Sequence, residues 1–124
     1  MTPEEKEEFE LVAKACGMED WRFNEYSQCF CHYNTKMQSW YHDSFGDHIE
    51  WNPLKDDGDA FRLAVVLHFL VDTSTSIKRV GLMAENGTLD KWLFHYNDLD
   101  AESPYAATRL AIWRAAVTYA RSLK

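Results

Sequence analysis

Apolar and polar positions change their spacing several times along the chain, and each change marks an element. Phe9, Val12, Ala13 and Cys16 recur at helical spacing behind Thr2-Pro3-Glu4-Glu5, which supplies a capping hydroxyl, a first-turn proline and an acid three residues after the cap. With Gly17 as a left-handed stop, a helix is predicted over residues 3–16. From Trp21 to Trp51 the helical period is lost. Aromatic and polar residues alternate over 28–33 and 37–42 on either side of Asn34-Thr35-Lys36, which predicts a hairpin. Gly46-Asp47 marks a break, and 48–51 forms a further short strand before Pro53, which has no N–H to pair.

The run 51–70 combines a rigid turn, an acidic helix start and a mostly apolar helix. Pro53 fixes its own φ and keeps Asn52 out of the helical region, so the helix starts after it. Asp56 or Asp57 can cap the helix, and Asp59 adds negative charge where the macrodipole favours it. Ala60, Leu63, Ala64, Leu67 and Leu70 form a stripe that Phe61, Val65 and Phe69 widen, leaving only Arg62, Val66 and His68 for an outer face. The pattern predicts a buried central helix capped by Asp57.

Thr73-Ser74-Thr75-Ser76 then reads as a loop or strand entry. Ile77, Val80, Leu82 and Ala84 lead to a two-residue Asn86-Gly87 turn, and 91–96 returns as a strand with Trp92, Phe94 and Tyr96 on one face. Ser103-Pro104 repeats the cap-then-proline start. The last helix carries a seam of Ala106, Leu110, Trp113, Val117 and Ala120, with Arg109, Arg114, Arg121 and Lys124 facing outward or reaching toward acids. The predicted order is α-β-β-(β)-α-β-β-α. It gives an α+β fold, a three-layer α/β/α sandwich with a four- to five-stranded, mainly antiparallel sheet, in a single domain over 1–124.

Two stretches resemble the phage ABA sandwich domain family, small proteins of bacteriophages and prophages. They are Trp51-Asn52-Pro53-Leu54 followed by Asp56-Asp57-Gly58-Asp59-Ala60 and Arg62-Leu63-Ala64-Val65, and Pro104-Tyr105-Ala106-Ala107-Thr108-Arg109 followed by Ala111-Ile112 and Ala115-Ala116. The resemblance covers roughly the last two thirds of the chain and implies the layered fold and a phage or prophage setting, with no activity or catalytic residue to carry over. The chain departs from the pattern at Val66 and His68, where a basic residue and a glycine are expected, and at Leu110, where arginine is expected.

Composition narrows the functional classes. A net charge of −7 disfavours binding to nucleic acid or anionic membrane, which depends on clustered Lys and Arg. It suits a basic partner surface, or simply solubility. No run of about 18 apolar residues is present, and the first residues lack the basic and apolar regions of a secretion signal. Three cysteines form an odd set, so reduced thiols and a host-cell cytoplasmic location are expected.

Cys29, Cys31 and His32, with His42 and His48, are the nearest approach to a metal site. On a strand the two cysteines lie roughly 6.5–7 Å apart, whereas thiolates sharing one zinc lie about 3.8 Å apart. His32 points to the opposite face, so no metal or cofactor is expected. Asp56, Asp57 and Asp59 lack the spacing of a calcium loop and read as helix caps, with Arg62 and Arg109 neutralising them. Trp40, Tyr41 and Phe45 are candidates for an exposed partner-binding patch. No motif for a nucleophile, a phosphate loop or a dinucleotide is present.

The expected function is that of a non-enzymatic phage or prophage accessory protein. It binds a host or phage protein and inhibits a host defence complex. Two alternatives are a small metal-dependent hydrolase using the 56–59 turn and nearby histidines, and a structural or self-associating phage protein.

Overall fold

A computed structural model describes residues 2–74 and 77–123. Thr75 and Ser76 of the predicted loop or strand entry, and Lys124 of the last helix, lie outside the described residues. The fold is α+β, with three α-helices and two antiparallel sheets of four and three strands. The strands therefore divide between two sheets, where the sequence pattern predicts one sheet of four or five. The division coincides with two compact units, residues 1–52 and 53–124.

In the first unit, α1 (Pro3–Ala15) starts as its sequence dictates: Thr2 caps it by accepting from the Glu5 N–H at 3.1 Å. Gly17 follows with φ +72. The sheet contains β1 (Trp21–Asn24), β2 (Cys29–Asn34), β3 (Ser39–Trp40) and β4 (Glu50–Trp51). β2 is its centre and pairs antiparallel with the other three, at Phe23↔Phe30, Tyr33↔Trp40 and Phe30↔Trp51. The predicted hairpin is present as β2 and β3, and β1 is a strand the alternation pattern does not pick out. Phe30 is buried beneath α1, stacked on Phe9 with ring centroids 5.1 Å apart, with Trp51 edge-on to Phe9 at 5.9 Å.

In the second unit, α2 (Asp57–Val66) ends earlier than predicted. Leu67 is its C-cap, and His68 takes φ +58, a left-handed conformation that glycine adopts most easily. The chain then becomes a strand at once. Phe69 and Leu70, read above as helix, instead open β5 (Phe69–Asp72), an edge strand of β5-β6-β7 with β6 (Lys78–Met83) and β7 (Leu89–Tyr96).

The β6–β7 turn has three residues rather than two. The Gly87 N–H donates to Ala84 O at 3.0 Å, and the Ala84 N–H to Thr88 O at 2.8 Å, so Gly87 with φ +84 occupies the left-handed third position. Gly81 of β6 gives room to the opposite strand, because a Cβ there would meet Leu89 Cδ1 at 2.7 Å and Trp92 Cε3 at 2.9 Å.

A short 3-10 turn at Asp98–Asp100 leads to α3 (Pro104–Ser122), capped by Ser103 as predicted. Its buried positions include Ala107, Ala111, Ile112, Trp113, Ala115, Ala116, Val117 and Ala120. The buried face is thus wider than the predicted seam, and Ala106 and Leu110 lie at its half-exposed margin. Small residues at these positions let α3 approach α2, β6 and β7 closely.

Candidate functional site

α2 buries Ala60, Leu63 and Ala64, and its C-cap Leu67 is buried too, but its other apolar residues are not covered. Phe61 is 69% exposed, and Val65 and Val66 are also exposed. This corrects the expectation of a helix buried nearly all round. The helix stops at Val66, so its short barrel has one inward stripe, and the residues predicted to widen that stripe fall outside it.

Phe61 stands at the edge of a cleft of about 610 Å³ formed by α2, α3, β5 and the turn before α3. Ala60, Ala64, Val71 and Ile112 are among its apolar lining, and Phe61 and the 72% exposed Tyr105 also line it. A volume of this size is ordinary for a binding site.

The charged residues of the cleft are paired with one another. Arg109 Nη1 donates to Asp57 Oδ1 at 2.5 Å, and its Nε donates to Leu54 O at 3.1 Å. Lys78 Nζ lies 3.6 Å from Asp98 Oδ2 and donates to Thr73 O at 3.1 Å. In both pairs the cation is the covered partner. The side chains of Arg109 and Lys78 are 19% and 18% exposed, against 71% and 44% for Asp57 and Asp98.

The predicted polar cluster is assembled as the sequence suggests, with one change of role. Asp56, not Asp57, caps α2, accepting from the N–H groups of Gly58 and Asp59 at 2.7 and 3.3 Å. Asp59 receives Arg62 Nη2 at 2.8 Å, and Asp57 takes Arg109. The three carboxylates point to main-chain donors or arginines. Among the described residues, no three His, Cys, Asp or Glu side chains are grouped to hold one metal ion.

The candidate residues of the hairpin do not come together. Consecutive strand side chains alternate faces. Trp40 accordingly packs on Tyr33 at 4.8 Å, while Tyr41 stacks on His32 at 4.2 Å on the opposite side. Trp21 covers the other face of His32 at 4.9 Å. Phe45 is separate again, 89% exposed on a turn that Asp43 organises by accepting from the Phe45 and Asp47 N–H groups.

The remaining histidines and thiols are engaged locally. His42 faces His48 at 4.8 Å, and His48 Nδ1 lies 3.1 Å from the amide nitrogen of buried Asn24. Cys29 Sγ donates to Ser27 O at 3.2 Å, and Cys31 Sγ lies 3.5 Å from Ser27 Oγ. Burial pushes the Cys31 thiol up; a hydrogen bond with Ser27 opposes this, the Glu50 charge adds to it, and a hydrogen bond with Asn24 opposes it. Burial alone raises Cys16 to about 11. Thiols held protonated are poor nucleophiles.

No family model, curated protein or solved structure matches the chain. No helix of the described residues is long and apolar enough to cross a membrane. The cleft residues that sequence reasoning missed are Phe61, Lys78, Asp98 and Tyr105.

Proposed function

We propose that this chain is a non-enzymatic binding protein whose working surface is the α2–α3 cleft, and that its partner is a protein. The observation that carries this reading is the state of the cleft's polar groups. Its titratable side chains pair with each other and leave apolar walls between two exposed aromatics, which suits docking and not proton or nucleophile chemistry.

The resemblance of residues 51–65 and 104–116 to the phage ABA sandwich family favours a phage or prophage accessory protein working in the host cytoplasm. Blocking a host defence complex is an action open to a small binder of this kind. The hydrolase alternative loses its support, since the 56–59 carboxylates are occupied by backbone N–H groups and arginines.

Affinity capture from host extract tests the reading when wild type is compared with a Phe61→Ser/Tyr105→Ser variant whose circular dichroism is unchanged. A protein retained by wild type and lost by the variant is the expected result. Identical captures would place the working surface elsewhere.

A further inference from the structure

Resting on the reading of the α2–α3 cleft as a protein-binding surface, and going beyond it, we propose that the segment docked there is basic and apolar. One bulky apolar side chain sits among Ala60, Ala64, Val71 and Ile112, and a neighbouring lysine or arginine is received by the outward carboxylates of Asp57 and Asp98.

The orientation of the two ion pairs is the first support. Each pair lies with its cation against the cleft wall and its carboxylate toward solvent, since Asp57 and Asp98 are 71% and 44% exposed against 19% and 18% for Arg109 and Lys78. A pair that is neutral as a whole therefore turns its negative end to an approaching chain, and that end dominates at contact range. The carboxylates also keep acceptor capacity. Arg109 engages Asp57 at Oδ1 and Lys78 approaches Asp98 at Oδ2, so Asp57 Oδ2 and Asp98 Oδ1 have no donor among the described residues. An incoming ammonium or guanidinium adds to these oxygens without displacing Arg109 or Lys78.

The flanking sequence has the same sign. Asp100 and Glu102 are exposed on the turn that carries Asp98, and no Lys or Arg occurs from Asn97 to Thr108. At the start of α2, Lys55 is outnumbered by Asp56, Asp57 and Asp59.

The exposed aromatics are the second support. Phe61 and Tyr105 line the cleft together with Asp57 and are 69% and 72% exposed. Ring faces attract Lys and Arg, and a guanidinium can lie on a ring while donating to a carboxylate. The same rings select a polypeptide over a small amine, which would fill about 610 Å³ and leave both in water. A segment lying across the cleft covers them, as anchor and rim are arranged at protein interfaces.

Selection of a displayed random-peptide library on the intact protein tests this without knowledge of the natural partner. Recovered peptides should place an aromatic or leucine residue next to Lys or Arg. Their binding, read by fluorescence anisotropy, should weaken about tenfold or more in Phe61→Ser, as expected for losing a buried aromatic contact. It should weaken about threefold to fivefold in Asp98→Asn, and further with added salt. The same peptides with Glu in place of Lys and Arg should not bind. Both variants are checked for an unchanged circular dichroism spectrum. If Asp98→Asn fails to fold, Asp57→Asn serves instead, because its amide oxygen still accepts from Arg109.

Peptides that depend on Phe61 but lack Lys and Arg, or carry Asp and Glu instead, would overturn the charge selection while leaving protein binding intact. A Phe61-dependent dimer that excludes every peptide would give the cleft to a second copy of this chain and overturn the basic segment. Peptides whose binding is the same in Phe61→Ser would overturn both readings of the cleft.

Discussion

Phe30, stacked on Phe9 and edge-on to Phe23, holds residues 1–52 together, whereas residues 53–124 are filled largely by alanines of α3. The charge is divided as unevenly. Residues 1–52 contain eleven Asp and Glu against four Lys and Arg, a net of −7, while residues 53–124 contain nine of each and are neutral. The whole net charge of the chain thus belongs to the part without the apolar cleft. Short strands and few residues leave the first unit dependent on large rings for buried area, and its like charges oppose compaction. The second unit uses small side chains to bring a helix close to a sheet, and balances every cleft charge with an opposite one.

Removing one ring should have the largest effect. Phe30→Ala deletes the centre of the aromatic stack and should cost about 3–5 kcal/mol, read by urea denaturation, with amide protection lost first in residues 1–52. Loss of protection spread evenly over both units would break the contrast between them. Arg109→Glu comes next. It removes the bonds to Leu54 O and Asp57 and sets like charges together, at about 2 kcal/mol, with the melting temperature falling. An unchanged melting temperature would mean the pairing does not hold α2 to α3.

The smallest effect is a matter of pH. The Ser74 hydroxyl and amide, and after them Arg79, hold the Asp72 carboxyl below the usual carboxylate range. A group depressed in the folded state stabilises above its unfolded pKa, about 4, and loses that contribution as pH falls through the folded value. Asp72→Asn should therefore melt below wild type at neutral pH, with the gap closing in acid. A gap that stays constant from pH 7 to the acid limb would show that the charge of Asp72 plays no part in balancing the second unit.

Much of the fold is legible in local chemistry. Thr2-Pro3 and Ser103-Pro104 mark helix starts because the cap and the fixed φ act within a few residues, and both starts are where the pattern places them. The ion pairs of Asp57 and Asp59 are legible for a related reason, since acids at a helix start attract the nearest arginines. The end of α2 is not legible. Leu67-His68-Phe69-Leu70 continues a helical apolar pattern, and only the left-handed His68 and the pairing of Phe69 with Leu82 turn it into a strand. That pairing is nonlocal and overrides periodicity. The cleft was hidden because the apolar pattern assigned Phe61 to the buried stripe of α2, whereas it lies off that stripe and is exposed. Composition likewise carries no record of which sheet face each ring of the hairpin takes, so the separate neighbours of Trp40 and Tyr41 were not legible.

The two-residue joint Leu67-His68 has a further consequence. Because α2 passes into β5 without a loop, the rotation of the helix and the alternation of the strand are geared to each other. Inserting or deleting one residue there would turn Val71 to the reverse side of its sheet and shift Ala60 and Ala64 around the helix. Length changes are thus tolerable at the Gly87 tip and disruptive to the cleft at this splice.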